Sequence, residues 1–223
     1  VGNGISLLIT IGILSGFPEQ IRNTAAIITS GDMTKIFGVL IFLALFIASI
    51  AAIIFFTEGQ RNIPVSYAKR ARNSIQGSVD SHLPIRVNIA GVIPIIFAMS
   101  IMVVPSVFGR YLAQSSATWL ANFGQFLIDM FENNLTYSIA YFVLVFLFTF
   151  FYTSIVFKPD QIAENLQKQG GFVPGLRPGT ETKNFIALVV VRFTLVSAFF
   201  LSIVAILPFI VQSITKIDTL VLG

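Results

Sequence analysis

An uncharged apolar stretch occupies Leu135–Phe157 and reads LTYSIAYFVLVFLFTFFYTSIVF. A helix needs about 20 predominantly apolar residues to cross the hydrocarbon core of a bilayer. This stretch is long enough, and it holds no Asp, Glu, Lys or Arg that would have to lose its hydration there. The sequence therefore predicts a membrane-spanning helix.

The composition of the whole chain supports this prediction. Apolar residues make up 55% of its 223 residues and charged residues only 11%, and the mean hydropathy is +0.86. A soluble domain with so few charges could not cover its surface with polar groups. Cysteine is absent, so neither a disulfide nor a cysteine-ligated metal is available.

Residues suited to catalysis or metal binding are scarce in this sequence. The single histidine, His82, is not part of a carboxylate cluster, so it suggests neither a metal site nor a general base. The sequence contains no Walker loop for nucleotide phosphates. We therefore expect no catalytic residues, no metal ion and no cofactor.

Further apolar runs lie on both sides of Leu135–Phe157. Together they predict an all-α, polytopic membrane bundle with about five spans, at residues 4–18, 36–57, 87–108, 135–157 and 185–211. The chain opens on Val rather than Met, without the basic region of a signal peptide, and its first span is short. We therefore expect the sequence to be a fragment of a longer protein.

The basic residues between the spans indicate their orientation. Segments 58–86 and 158–184 hold nine Lys and Arg, whereas segments 18–35, 109–134 and 212–223 hold four. Because segments rich in Lys and Arg stay on the cytoplasmic side, we expect the first two to be cytoplasmic and the others external. The net charge of +4 then reflects topology rather than nucleic-acid binding.

One cytoplasmic segment is long for a connection between membrane helices. Lys158–Lys183 reads KPDQIAENLQKQGGFVPGLRPGTETK, with a helical-looking piece at Gln161–Gln169, a Gly-Gly break and a Pro-Gly-Leu-Arg-Pro-Gly run. Several residues that fix the backbone in an exposed segment suggest a docking surface. Pro178 favours extended geometry at Arg177, whose guanidinium suits a carboxylate or phosphate. The ordinary alternative is that Arg177 is a solvated loop residue with no docking role.

The external segment 109–134 contains an apolar pattern with helical spacing. Apolar residues within Ser115–Asp129 recur every three or four positions, at Trp119, Leu120, Phe123, Phe126 and Leu127. This pattern is typical of an interfacial helix on the outer leaflet. A helix packed over the bundle would show the same pattern, and the sequence leaves both possibilities open.

Three long motifs identify a family. They are EGQRNIPVSYAKR (Glu58–Arg70), HLPIRVNIAGVIPIIFAMS (His82–Ser100) and FKPDQIAENLQKQGGFVPGLRPGT (Phe157–Thr180). With the shorter runs GNGIS (Gly2–Ser6) and RFTLV (Arg192–Val196), they resemble the SecY family, the central subunit of the bacterial protein-conducting channel. The resemblance covers essentially the whole chain, as spans five to nine of ten. It implies that spans one to four and ten are missing from this sequence.

The resemblance implies a pore ring formed by Ile5, Ile9 and Ile96. On a helix, Ile5 and Ile9 share one face because they are four residues apart. A ring of branched apolar side chains closes a pore to ions, which would have to lose their hydration to pass. Ordinary helix packing is the alternative for each of these isoleucines.

The resemblance also implies a lateral gate, the seam through which signal sequences reach lipid. A carboxamide near the start of an apolar span needs hydrogen-bond partners, and Gly and Pro interrupt helical hydrogen bonding in a helix that tilts or bends. The implied gate residues are Asn88, Gly91, Pro94 and Ser100. The alternatives are a helix-end hydrogen bond to backbone for Asn88 and close helix packing at Gly91.

The resemblance implies, in addition, that Arg177 docks the SecA ATPase or the ribosome. Lys69, Arg70 and Arg72 form a second basic group that could reach ribosomal RNA phosphates or an acidic SecA surface. The same three charges would also be required as topology determinants alone. The implied assembly further contains the remaining SecY segments and SecE-like and SecG-like subunits.

The function implied is that of a non-enzymatic channel subunit in the bacterial plasma membrane. It would pass nascent or unfolded secretory polypeptides across the membrane and release transmembrane segments into membrane lipid. SecA or the translating ribosome would supply the energy. The alternative is half of a secondary transporter for small solutes, although transporters place ionisable or unwound polar groups at mid-membrane and these spans hold almost none.

Overall fold

A computed structural model describes residues 4–29, 33–67 and 80–215. The helices in these ranges are α1 (Gly4–Thr29), α2 (Met33–Glu58), α3 (Ile93–Ala113), α4 (Thr118–Glu132), α5 (Asn134–Val156), α6 (Pro159–Lys168) and α7 (Thr180–Thr215). The strands are β1 (Gln60–Tyr67), β2 (Asp80–Arg86) and β3 (Gly171–Phe172). The predicted helical bundle is confirmed, and a small sheet that the sequence did not predict is added to it.

Four helices of the described ranges are long and apolar enough to cross a membrane. Their apolar portions are Ile36–Glu58, Ile93–Ala113, Asn134–Lys168 and Thr180–Gln212, the third of which includes α6 beyond the end of α5. The predicted span 4–18 lies within α1, which continues through Pro18 and the polar residues after it to Thr29. The apolar run therefore marks only the first part of that helix.

The chain divides into two compact units. One consists of Val1–Ala52 and Ile206–Gly223, and its described residues belong to α1, α2 and the end of α7. The other is Ile53–Ala205, which holds the three strands and helices α3 to α6. The boundaries fall inside α2 and α7.

In the second unit, α5 buries one narrow face. Every fourth residue of α5 from Tyr141 to Thr153 is buried. The hydroxyls of Thr149 and Thr153 each donate a 2.7 Å hydrogen bond to the backbone carbonyl four residues earlier. Since these polar groups are satisfied within their own helix, they can pack against apolar neighbours without a desolvation cost.

Helices α3 and α4 meet at a close contact between two glycines. A Cβ atom added to Gly124 would lie 2.7 Å from the carbonyl oxygen of Gly109 and 2.8 Å from the carbonyl carbon of Leu112. Both are backbone atoms, which cannot move aside as the end of a flexible side chain can. Glycine is therefore required at 124 for α4 to lie this close to α3.

We expect Gly124→Ala to lower the free energy of unfolding by about 1–3 kcal/mol, the range for an overpacked contact. The matched control is Gly16→Ala in α1, where an added Cβ meets nothing within 4 Å and alanine favours the helix. Thermal unfolding of the purified chain in detergent compares the two variants. Equal midpoint temperatures of unfolding for the two variants would contradict the close contact between α3 and α4.

Candidate docking surface

The strands, α6 and the first turns of α7 form one folded unit, called here the sheet subdomain. Its sheet has the order β2-β1-β3 and is antiparallel throughout, with Gln60 paired to Arg86 and Tyr67 paired to Gly171. One cluster of buried residues draws from β1, β2, α6, α7 and the residue after β3: Ile63, Val65, Ile85, Leu166, Val173, Ile186, Val189 and Val190. The two segments expected to be separate cytoplasmic connections therefore share one hydrophobic core.

The Gly-Gly break joins α6 to the sheet. Gly170 has a φ of +69°, a conformation that disfavours side chains, and it follows Gln169, the C-cap of α6. At Gly171 an added Cβ would lie 2.9 Å from Cε1 of the Tyr67 ring. The first glycine therefore reverses the chain, and the second lets β3 lie against β1.

The Pro-Gly-Leu-Arg-Pro-Gly run forms an ordered loop over residues 173–179, called here the arginine loop. Gly175 and Gly179 have φ values of +86° and +101°, which glycine adopts at little cost. The backbone N–H of Leu176 donates a 3.1 Å hydrogen bond to the carbonyl of Val173, which closes a turn. Leu176 itself packs against the core of the sheet subdomain, so the loop is attached to a folded base.

The backbone on both sides of Arg177 is fixed by side chains of α7. The Arg177 N–H donates a 3.1 Å hydrogen bond to Oε2 of Glu181. The Thr182 hydroxyl donates a 2.9 Å hydrogen bond to the Arg177 carbonyl, and the Thr182 side chain is buried. These two bonds hold the arginine loop against the start of α7.

The Arg177 side chain itself is exposed and is available to a partner. Two lysines of the sheet subdomain are already paired with carboxylates: Lys183 with Asp160 at 2.5 Å, and Lys168 with Glu164 at 2.7 Å. Within the described part of the chain, no carboxylate forms an ion pair with the Arg177 guanidinium. A rigid backbone with an uncompensated guanidinium suits recognition of a carboxylate or phosphate.

The remaining predicted docking residues lie outside the described residues. Lys69, Arg70 and Arg72 fall between the described ends of β1 and β2. The docking role of these three basic residues stays a prediction.

Asn88 lies in a turn that precedes α3. It is buried, and its Oδ1 accepts a 2.9 Å hydrogen bond from the N–H of Gly91. The preceding residue, Val87, donates to the carbonyl of Gly59 at 2.8 Å and accepts from the hydroxyl of Ser197 at 2.6 Å. The hydrogen bond to local backbone, which was the alternative for Asn88, is therefore present. The residue before the turn is bonded to Gly59, directly before β1, and to α7.

The positions of Gly91 and Pro94 differ from the expectation that both lie inside a span. The helix begins at Ile93, not at residue 87, because Gly91 has a φ of +66° and Pro94 occupies the first turn. They therefore shape the start of α3 rather than bend its middle, and the proline within the helix is Pro105. Ser100 donates a 2.8 Å hydrogen bond to the carbonyl of Ile96. The gate role of these residues stays a prediction.

The predicted pore residues lie on two helices. Ile96 is on α3 and its side chain is 43% exposed. Ile5 and Ile9 are on α1, but their side chains lie outside what the structure describes. The two helices belong to different units, so the ring stays a prediction.

Sequence reasoning missed three side chains that position the site, namely Glu181, Thr182 and Ser197. The signal for Glu181 was present, because a Thr-Glu pair that follows Pro-Gly is typical of the first turn of a helix. Ser197 bonds a residue 110 positions away in the chain. No local pattern could have identified that bond.

The fold and this surface define a polytopic helical membrane protein with a small folded unit between its apolar spans. Comparisons with known proteins identify the family. The SecY family profile matches residues 1–222, so the chain belongs to the SecY family. It is a multi-span protein of the bacterial plasma membrane.

Individual relatives agree with this assignment. The chain is 39% identical to "Protein translocase subunit SecY" of Chlamydia trachomatis, over 98% of this chain and 48% of that protein. It is 36% identical to the Escherichia coli K12 protein of the same name, over 97% of this chain and 48% of that protein. The chain spans about half the length of the curated relatives it matches.

A solved structure described as "The structure of a protein conducting channel" has the same fold. It superposes with a TM-score of 0.50 at 13% sequence identity, over 90% of this chain and 54% of the other. The transporter alternative is not favoured by these comparisons.

Proposed function

We propose that this chain supplies spans five to nine of a ten-span protein-conducting channel. The family match over residues 1–222 carries the proposal. In that assembly the chain passes unfolded secretory polypeptides across the bacterial plasma membrane and releases transmembrane segments into membrane lipid. Spans one to four and ten complete the channel, whether they lie in the same polypeptide or in another.

The sheet subdomain is proposed to face the cytoplasm and to bind the partner that supplies energy. Segments 58–86 and 158–184 carry most of the basic residues outside the spans, which supports this orientation. Arg177 has an immobilised backbone and an exposed guanidinium, and it suits an acidic surface of SecA or a phosphate of the ribosome. Lys69, Arg70 and Arg72 are proposed to extend the same basic surface.

The pore is proposed to close at a ring formed by Ile5, Ile9 and Ile96. The exposure of Ile96 in this chain supports a position beside a passing polypeptide rather than a position in the core. SecE-like and SecG-like subunits are proposed to hold the halves of the channel together. The chain itself is proposed to catalyse nothing, so ATP hydrolysis belongs to SecA.

The lateral gate is proposed to open by a movement of α3 about the turn at residues 88–91. Hydrogen bonds of Val87 to Gly59 and Ser197 hold the residue before this turn in place. Gly91, with its positive φ, has no added-Cβ contact within 4 Å, so the chain has space to move there. Asn88 limits the movement through its bond to the Gly91 N–H.

Reconstitution tests the function and the orientation together. Vesicles holding this chain, the complementary SecY segments and a SecE-like subunit should protect a secretory precursor from added protease when SecA and ATP are supplied. Vesicles that lack only this chain are the control. A cysteine introduced at the exposed Thr180 should be labelled from the side to which SecA is added, since the native chain has no cysteine.

Two results would contradict the proposal. Assembly and SecA binding without protection of the precursor would argue against a channel. Translocation by vesicles whose Thr180 cysteine is reached only from the opposite side would reverse the orientation.

A further inference from the structure

Helix α4 carries a stripe of large apolar side chains that the other described residues do not cover. Trp119, Phe123 and Phe126 are 72%, 50% and 60% exposed, and Met130 is exposed as well. Their spacing of four, three and four residues places them on one face of the helix. This face, residues 119, 123, 126 and 130, is called here the aromatic stripe.

The other faces of α4 have different surroundings. Gly124, Leu127 and Ile128 lie against Gly109 of α3, where an added Cβ would come within 3.1–3.2 Å of all three. A third face is polar and exposed, and it consists of Thr118, Asn122, Gln125, Asp129 and Glu132. The helix therefore has one face packed on α3, one apolar face that no residue in the described ranges covers, and one polar face.

The connections of α4 fix its position along the bilayer normal. Only residues 114–117 join it to α3, and Asn133 alone joins it to α5. Both α3 and α5 are long and apolar enough to span a membrane. A 15-residue helix held at both ends by two spans lies near the level where those spans leave the hydrocarbon.

We propose that α4 is an interfacial membrane helix whose aromatic stripe docks on the surface of a phospholipid bilayer. Tryptophan and other aromatic side chains favour the headgroup level, where their rings are partly desolvated and their polar edges stay hydrated. The last turns of the neighbouring span α3 also expose apolar side chains, at Val107 and Phe108, as a lipid-facing surface does.

The chemistry of the polar face specifies the lipid. It holds two carboxylates, Asp129 and Glu132, and no Lys or Arg. Gln125 donates a 3.1 Å hydrogen bond to Asp129, which keeps one carboxylate on that face. Attraction to anionic headgroups therefore cannot drive the docking. Insertion of the apolar side chains of the aromatic stripe into the bilayer interface must drive it instead. A zwitterionic phospholipid surface is therefore the expected partner, and this docking requires only that α3 and α5 span the bilayer.

Trp119 provides the measurement because it is the only tryptophan of the chain. The 223-residue chain is reconstituted in phosphatidylcholine vesicles. Bromines are placed on the lipid either near the headgroup or near the ends of the acyl chains, and aqueous acrylamide is tested separately. We expect strong quenching of Trp119 fluorescence by the shallow bromines, weaker quenching by the deep ones and weak quenching by acrylamide.

Other occupants of the aromatic stripe give different results. Strong acrylamide quenching with little effect of bromines would mean that the stripe faces water. Weak quenching by all three reagents would mean that protein covers it, from a second copy or another subunit. Either result would overturn the proposal.

A matched pair of variants separates the stripe from the helix as a whole. Phe126→Asp and Asn122→Asp add the same charge at exposed positions of neighbouring faces. Neither removes core packing, so both variants should fold. Phe126→Asp should abolish most of the quenching by shallow bromines and increase quenching by acrylamide, whereas Asn122→Asp should change neither. Equal behaviour of the two variants would also overturn the proposal.

Discussion

Replacing Arg177 by Glu is expected to lower SecA-driven export by about tenfold or more while the protein remains folded and inserted. A hydrogen bond to a charged group contributes about 1.5–3 kcal/mol, and about 1.4 kcal/mol corresponds to a factor of ten in an equilibrium constant. The substitution also replaces attraction to an acidic partner by repulsion. Export of a secretory precursor into vesicles, measured at limiting SecA, gives the effect.

The structure explains why this variant should still fold. The side chain is exposed, and the two hydrogen bonds that hold the arginine loop use the Arg177 backbone N–H and carbonyl, which any residue other than proline supplies. The new carboxylate would lie near Glu181, and we expect this repulsion to be small because both groups are solvated. The expected loss of export is therefore caused by weaker binding of the partner and not by unfolding.

Lys168→Glu is the matched control for Arg177→Glu. It makes the same change of charge on an exposed side chain of the same sheet subdomain. It breaks one surface ion pair, with Glu164, and such pairs contribute little to stability. Equal export defects in the two variants would show that the net charge of the subdomain, and not the position of Arg177, matters. Normal export in the Arg177 variant would leave Arg177 a solvated loop residue.

The parts of the fold that depend on local composition could be predicted from the sequence. The uncharged stretch Leu135–Phe157 coincides with α5 to within a residue at each end, because its apolar character continues to the caps. The helical piece predicted at Gln161–Gln169 is confirmed as α6, Pro159–Lys168. The helix begins two residues earlier than predicted because Pro159 is favoured in the first turn of a helix. The helical pattern in Ser115–Asp129 is likewise confirmed as α4.

The sheet could not be predicted because its pairing is not local. The strand β1 pairs with β2 and also with β3, about a hundred residues further along the chain. Pro64 and Pro84, which weaken a strand assignment, lie opposite His82 and Asn62 in the hairpin. Burial of Ile63 and Val65 under α6 and α7 outweighs that local preference. The supports of the arginine loop depend on this sheet, so they could not be derived from the motif alone.

The start of α3 shows a different limit of sequence reasoning. The apolar run begins at Val87 and is interrupted before Ile93 only by Asn88 and Gly91, so the predicted span began there. Hydropathy does not report backbone conformation, and the positive φ of Gly91 keeps residues 87–92 out of the helix. The same run of apolar residues therefore contains both a buried turn and a helix, and Ile96 lies in the first turn of that helix.

The pore prediction rests on Ile96, whose replacement by Asn should make the closed channel leak ions without lowering the amount of protein. Its side chain is 43% exposed, so the substitution removes little packing from this chain. A polar group in the proposed ring would lower the desolvation barrier that excludes ions. Ion flux through vesicles that hold the assembled channel, together with the steady-state amount of the chain, measures both effects.

Met102→Asn on the same helix is the control, because Met102 is only 3% exposed. A buried large-to-polar change should destabilise the protein by about 2–5 kcal/mol, since it leaves a cavity and an amide without partners. That variant should be scarce in the membrane, and its remaining channels should be closed to ions. If the Ile96→Asn variant is likewise present in low amount and closed to ions, then Ile96 is a packing residue of the assembled protein. An abundant channel with normal closure would likewise remove Ile96 from the ring, because a polar side chain at a sealing position cannot leave the ion barrier unchanged.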